Sequence, residues 1–211
     1  MKRLQSRLND LARALPVWAV WLLGSLPLFW IVWLTLSNGL GVNPVREIEH
    51  RLGKIALWFL LGGLAVTPLR RYAGLNLLRH RQALGLLAFS YILLHVTAWL
   101  WLDMGLLLGQ ALRDMVKRPY LLFGLSALLL LIPLALTSNR FSIRRLGRGW
   151  NRLHLLVYPA VLLAVWHYLW QMKVVTGEGW LWLAAILALL SLRLGRLGSG
   201  KRPSRPLRDS V

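Results

Sequence analysis

The sequence predicts an all-α membrane protein, a polytopic bundle of six transmembrane helices. Apolar residues make up 57% of the 211 residues, and they are concentrated in blocks of roughly 16–21 residues, close to the length that crosses a bilayer. The six blocks lie at about residues 16–36, 54–69, 83–102, 120–137, 153–171 and 179–195. The connections between them are too short for a folded soluble domain, so any cofactor must be held between helices.

Three parts of the chain are distinguished by composition. Residues 1–15 are expected to form a short cytoplasmic helix on the membrane surface, because Leu4, Leu8 and Leu11 fall on one helical face among basic residues. Residues 16–197 form the six-helix domain. Residues 198–211 are basic and rich in Gly, Pro and Ser, and we predict a disordered cytoplasmic tail.

The distribution of Lys and Arg predicts the orientation of these helices. Nineteen of the 26 basic residues lie in the two termini and in the second and fourth connections, whereas seven lie in the other connections. The positive-inside rule therefore predicts that both termini are cytoplasmic. The net charge of +19 is thus explained by topology and by contact with anionic lipid headgroups, and DNA binding is a poor second explanation.

Prolines and turn residues locate the ends and bends of the helices. Asn43–Pro44 is a turn signal in the first outer connection, and a short surface helix is expected to begin at Pro44. Pro119 is expected in the first turn of the fourth span, where its missing N–H costs nothing. Three further prolines lie within spans and are expected to bend them: Pro27, Pro133 and Pro159.

Several classes of site are excluded by the residues present. The sequence contains no cysteine, which excludes disulfides, thiolate-bound clusters and covalently attached c-type haem. It also lacks the zinc-protease, phosphate-loop and nucleophile-turn motifs, so neither a hydrolase nor a nucleotide-binding domain is indicated.

Three histidines, His95, His154 and His167, lie inside or at the edge of predicted spans. A histidine in hydrocarbon is costly without a partner, which marks it as a functional residue by default. Neutral imidazole is also the commonest metal ligand in proteins. Inward-facing histidines on neighbouring helices therefore indicate a b-type cytochrome, the simpler alternative being polar contacts between helices.

The spacing of these residues predicts which histidines meet. His95 follows Arg81 by fourteen residues and His167 follows Arg152 by fifteen, on spans that run in the same direction. We therefore expect His95 and His167 to lie at the same depth, in the outer half, and to bind one haem iron together.

The third histidine, His154, precedes His167 by thirteen residues, or about 20 Å along a helix. It is expected to bind a second haem near the cytoplasmic edge, with a partner that remains open because Arg81 and Gln82 occupy that depth. His80 is assigned to a loop and His50 to a surface role in the outer connection.

Four stretches of this sequence resemble the ferric-reductase-like transmembrane superfamily, over roughly residues 20–195. They are Trp150-x-x-Leu153-His154-x-x-x-Tyr158 followed by His167, Gly41-x-x-Pro44-Val45-x-x-Ile48-x-His50-x-x-Gly53, Thr67-Pro68-Leu69, and Arg118-Pro119-Tyr120. Within that superfamily, the six-span length and the lack of a flavin domain are similar to the haem-binding subunits of periplasmic methionine-sulfoxide reductases.

This resemblance implies a non-catalytic, multi-pass electron-transfer subunit of the bacterial inner membrane that binds haem b and FMN. His95, His154 and His167 match the haem histidines of the family. Electrons would come from the quinone pool or from a cytoplasmic flavin reductase. They would pass to a periplasmic molybdopterin methionine-sulfoxide reductase that repairs oxidised proteins. The rival interpretation is a haem-free membrane scaffold or transporter subunit.

Overall fold

The computed structural model describes residues 2–172, 174 and 176–194, and this part of the chain contains helices and no strand. The predicted disordered tail, residues 198–211, lies outside the described residues. The helices are α1 (Lys2–Ala14), α2 (Val17–Leu36), α3 (Pro44–Tyr72), α4 (Arg81–Ala98), α5 (Leu108–Lys117), α6 (Tyr120–Leu136), α7 (Arg140–Leu146), α8 (Arg148–Leu153), α9 (Val157–Trp170) and α10 (Gly177–Leu194).

The prediction of a polytopic helical bundle is confirmed. Among the described residues, four helical stretches are long and apolar enough to cross a membrane: Val17–Leu36, Pro44–Tyr72, Leu78–Asp103 and Arg148–Trp170. The other two predicted spans correspond to α6, of 17 residues, and α10, of 18 residues. Each predicted block thus has a helix, although the number of spans by length and composition is four, or five with the bent pair described below.

Helix α3 is longer than the sequence predicted. It begins at Pro44, where the side chain of Asn43 accepts a hydrogen bond from the Arg46 N–H, and runs for 29 residues. At 1.5 Å per residue this is about 43 Å, more than the roughly 30 Å of a bilayer core. The separate surface helix expected from Pro44 is therefore wrong, because the two segments form one continuous helix.

The connection before α6 also contains a helix that the sequence analysis did not predict. Helix α5 meets α6 at an angle of 114°, with Arg118 and Pro119 between them. A π-helical turn, Trp99–Asp103, links α4 to this region. Pro119 directly precedes α6, as expected for a residue that lacks an N–H to donate.

The core of the bundle is formed by two helix pairs, α3 with α4 and α6 with α9. Its central residues include Leu64, Ala88, Leu131 and Val161, all buried. Helix α10 covers α3 and α9. Helix α2 is peripheral and is held to α4 by the Tyr91 hydroxyl, which donates to the Gly24 carbonyl over 2.7 Å.

The two ends of the bundle differ in charge. We call the end that carries α1, the α3–α4 connection and α7 the basic side, and the end that carries α5 and the first turns of α3 the histidine side. On the basic side, the Asn9 side chain donates to the Gly74 carbonyl over 3.0 Å and accepts from the Asn76 N–H over 2.8 Å. These bonds fix α1 against the α3–α4 connection; its position on a membrane surface remains a prediction.

Candidate functional site

His95 on α4 and His167 on α9 face each other on the histidine side of the bundle. Their ring centres are 6.3 Å apart and the ring planes are inclined by 72°. The spacing from Arg81 and Arg152 had predicted this meeting, and the structure brings these two histidines together.

Each ring is held by a hydrogen bond to the backbone of another helix. Nδ1 of His95 lies 2.9 Å from the Glu49 carbonyl oxygen on α3, and Nδ1 of His167 lies 2.9 Å from the Tyr120 carbonyl oxygen on α6. Because a carbonyl oxygen only accepts, Nδ1 of each neutral ring must carry the proton. Nε2 of both rings therefore keeps a free lone pair, which is the arrangement that metal-binding histidines use.

A glycine lies one helical turn after each accepting carbonyl. Gly53 follows Glu49 and Gly124 follows Tyr120, each by four residues. A Cβ atom at Gly53 would lie 3.5 Å from the His95 ring, and one at Gly124 would lie 3.0 Å from the His167 ring. In both pairs, α3–α4 and α6–α9, the first helix supplies a backbone carbonyl and a glycine that position the imidazole carried by the second helix.

The two imidazole nitrogens, Nε2 of His95 and Nε2 of His167, fit a metal whose other ligands come from a cofactor. Two imidazoles that bind one metal from opposite sides through Nε2 have ring centres about 6 Å apart, given a metal–nitrogen distance of about 2 Å. The observed 6.3 Å agrees with that value. Among the described residues, no group of three His, Cys, Asp or Glu side chains could hold a bare metal ion. A two-histidine site is therefore suited to haem, in which the porphyrin supplies the other four donors.

A cavity of about 760 Å³ surrounds the two imidazoles, between α3, α4, α6 and α9. This volume lies within the range of about 300–1,000 Å³ that is typical of ligand and cofactor sites. Its deep walls are apolar, with Leu60, Ile92 and Leu128, whereas Arg46 and Arg118 are at its outer rim.

His50 and its surroundings differ from the expectation. The sequence predicts a surface role for His50 in the first outer connection. It lies instead on α3, half-buried, in the wall of the cavity that contains His95 and His167. Gly53, three residues further along α3, faces the His95 ring, since a Cβ added there would lie 3.5 Å from it. This turn of α3 therefore belongs to the site.

His154 is placed apart from the other two predicted ligands. It lies in a 3-10 turn, His154–Leu156, between α8 and α9, and its ring stacks on Trp150 with ring centres 3.8 Å apart. Its Nδ1 is 3.2 Å from the Trp150 carbonyl oxygen. The turn interrupts the regular helix between His154 and His167, which a uniform helical spacing could not anticipate. The role of His154 as a ligand stays a prediction.

His80 is engaged elsewhere on the basic side. It is buried at the end of the 3-10 turn Leu78–His80, and its Nε2 lies 3.0 Å from the Leu15 carbonyl oxygen. This contact ties the α3–α4 connection to the short segment between α1 and α2. His80 therefore has a structural partner, and its assignment to the connection agrees with the structure.

Comparison with known proteins assigns the chain to a family. The family model described as "Ferric reductase like transmembrane component" matches residues 52–165. The "Protein-methionine-sulfoxide reductase heme-binding subunit MsrQ" of Agrobacterium fabrum is 48% identical over 180 residues, which cover 85% of this chain and 84% of the relative. The chain belongs to the MsrQ family. The proteins of the same name from Brucella ovis and Brucella abortus are 45% identical over 199 residues, or 92% of this chain and 90% of each relative.

The family assignment confirms the resemblance that the sequence motifs indicated. The matched segment contains His95 and His154 and ends two residues before His167. No solved structure matches the chain significantly.

Proposed function

We propose that this chain is the haem-binding, electron-transferring membrane subunit of a protein-methionine-sulfoxide reductase. The observation that carries the proposal is the facing pair His95 and His167, whose Nδ1 atoms are tied to backbone carbonyls on two other helices. The name of the relatives, a heme-binding subunit, supports the same function.

The main role of the residues around the cavity would be to bind the cofactor and fix its position. His95 and His167 would hold the iron of haem b through their Nε2 atoms, and the haem would supply a one-electron couple when bound. The apolar walls of the cavity exclude water from the ligands, and Arg46 and Arg118 at its rim are suited to pair with the carboxylates of the porphyrin. The hydrogen bond at Nδ1 fixes the tautomer and the orientation of each imidazole, so that both rings are already positioned to receive the iron.

We further propose the direction of electron flow. With both termini in the cytoplasm, as the Lys and Arg distribution predicts, the site lies in the periplasmic half of the inner membrane. Electrons would come from a quinol or a cytoplasmic flavin reductase, and a periplasmic molybdopterin catalytic subunit would accept them. FMN is the second proposed cofactor, and His154 is proposed as a ligand on the cytoplasmic side.

The decisive experiment is a reduced-minus-oxidised spectrum of the purified protein from haem-replete cells. A b-type spectrum is expected, and it should be lost in His95→Ala and in His167→Ala. His80→Ala is the matched control, because it removes a histidine that lies outside the cavity and should keep the full haem content. A wild-type protein without haem, or full haem content in His95→Ala, would contradict the proposal and favour a haem-free scaffold or transporter subunit.

A further inference from the structure

Helix α5 presents an apolar stripe on its exposed surface. Ala111 is buried against the bundle, and Met115, one turn later, lines the cavity that contains the two imidazoles. Leu108, Leu112 and Val116 are exposed by 66%, 64% and 82%. Because residues four apart lie on the same side of a helix, these three side chains form one continuous row, which we call the apolar stripe.

The polar residues of α5 lie on the other side of the helix. Gln110, Arg113 and Lys117 follow one another at intervals of three and four residues, and all three are exposed. At about 100° per residue, Gln110 lies roughly 160° around the helix from Leu112. The exposed surface of α5 is therefore amphipathic, with an apolar stripe on one side and a basic, polar edge on the other.

The direction of α5 is that of a helix lying along the membrane surface. It meets α6 at 114°, closer to a right angle than to a straight continuation. An ion pair holds the corner, with Nε of Arg118 3.1 Å from Oδ1 of Asp114. Since α6 corresponds to the fourth predicted span, α5 runs nearly parallel to the membrane plane at the end of that span.

The apolar stripe continues a surface that is expected to face lipid. Trp101 and Leu102 are exposed at the end of the helical stretch Leu78–Asp103, which is long and apolar enough to cross a membrane. Leu106 and Leu107, which lead into α5, are exposed as well. Tryptophan is enriched at membrane–water boundaries, and an extended exposed apolar surface marks an interaction site.

We propose that α5 is an interfacial helix, with the apolar stripe inserted among the phospholipids of the leaflet on the histidine side. Arg113 and Lys117 lie beside the lipid phosphates, because helices of this kind combine a buried apolar face with basic residues on the polar face. A bilayer fits this surface better than a protein partner does, since the stripe is continuous with the apolar surface of α4 and its opposite edge is basic.

This position has a consequence for the cavity. Met115, on the inner side of α5, lines the cavity, and Arg118, directly after the helix, is at its rim. Lipid contact on the outer side of α5 therefore holds the rim of the cavity at the level of the headgroups. The insertion of α5 does not require a bound haem, so its failure and the failure of the proposed function are distinguishable.

The test measures the depth of single spin labels in the membrane. Because the sequence contains no cysteine, one introduced cysteine gives one label in the full-length protein. Leu112→Cys places the label on the apolar stripe, and Gln110→Cys, the matched control, places it on the polar side of the same turn. Both side chains are exposed, so the protein alone predicts equal access to each label.

The labelled proteins are placed in nanodiscs of phosphatidylethanolamine and phosphatidylglycerol. Power-saturation electron paramagnetic resonance then measures collisions of each label with oxygen, which concentrates in lipid, and with a nickel chelate, which stays in water. Leu129→Cys, at an exposed position near the middle of α6, provides the lipid reference. Val42→Cys, at an exposed position before α3, provides the water reference.

The label at Leu112 should be accessible to oxygen and protected from nickel, like the label at Leu129, at a depth of about 5–10 Å. The label at Gln110 should be accessible to nickel, like the label at Val42. Leu108→Cys lies on the same stripe and should repeat the result of Leu112→Cys, which keeps the test decisive if one variant does not fold.

Two results would overturn the proposal. One is equal access of nickel to the labels at Leu112 and Gln110, because the stripe would then face water or the whole helix would be immersed. The other is protection of the Leu112 label from both oxygen and nickel, because a protein surface would then cover the stripe. In that case, dipolar broadening between labels would identify a second copy of this chain as the occupant.

Discussion

A methyl group at position 124 should displace the ring of His167. The Cβ atom of Gly124→Ala would lie 3.0 Å from Cε1 and Nδ1 of that ring and 3.2 Å from Cγ. Carbon atoms in contact prefer about 3.5–4.0 Å, so the imidazole must retreat by roughly 0.5–1 Å. That movement stretches the 2.9 Å bond between Nδ1 and the Tyr120 carbonyl toward the limit of about 3.5 Å for hydrogen bonding.

The cost of this displacement is about 1–3 kcal/mol, the usual range for overpacking and for one lost hydrogen bond. Haem affinity should therefore fall by roughly 5- to 150-fold, since about 1.4 kcal/mol corresponds to a factor of ten. The matched substitution is Gly53→Ala, whose Cβ would lie at an ordinary contact distance of 3.5 Å from the His95 ring. It should change haem affinity by no more than about twofold, which corresponds to a few tenths of a kcal/mol.

The assay is a haem titration of the apoprotein, followed by the difference spectrum. Gly85→Ala on α4 serves as the control for added helix propensity, because its Cβ would meet nothing within 4 Å. Wild-type affinity in Gly124→Ala, or an equal loss in Gly53→Ala and Gly124→Ala, would refute the reasoning.

Three further predictions concern the haem ligands, the source of electrons and the orientation of the protein in the membrane. The 72° between the rings of His95 and His167 predicts a strongly anisotropic low-spin ferric signal in electron paramagnetic resonance, and a three-line rhombic signal would argue against this pair as ligands. NADPH alone should not reduce the purified protein, whereas a quinol, or NADPH with a flavin reductase, should do so; rapid reduction by NADPH without a reductase would contradict this source of electrons. Reporter fusions after Val42, Gln110 and Thr176 should be periplasmic, and a cytoplasmic signal at any of them would invalidate the charge argument.

The pairing of His95 with His167 could be predicted because it depends on a constant rise per residue from a marked membrane edge. The groups that orient the two rings could not be predicted in this way. They are backbone carbonyls of Glu49 and Tyr120, and a carbonyl has no signature in the sequence. The one available signal was a glycine four residues after each, which becomes informative only when the facing helices are known.

The boundary of α3 was missed for a different reason. Hydropathy locates the segment that prefers lipid, whereas a helix continues as long as its backbone is hydrogen-bonded. The charged residues before Lys54 support the helix, since Arg51 pairs with Glu47 one turn earlier over 2.8 Å. The apparent loop that contained His50 was therefore the first part of a helix, which is why the cavity wall was not recognised.

The use of two equivalent helix pairs has a consequence for the biogenesis of the protein. The contact between His95 and the Glu49 carbonyl is complete once α4 has been synthesised, but the contact between His167 and the Tyr120 carbonyl requires the chain as far as Trp170. During synthesis, therefore, His95 is positioned by α3 and α4 well before His167 and its partner helices have been made. If His95 and His167 hold the haem as proposed, cofactor insertion must be a late event, and chains truncated before α9 should be unable to retain a haem.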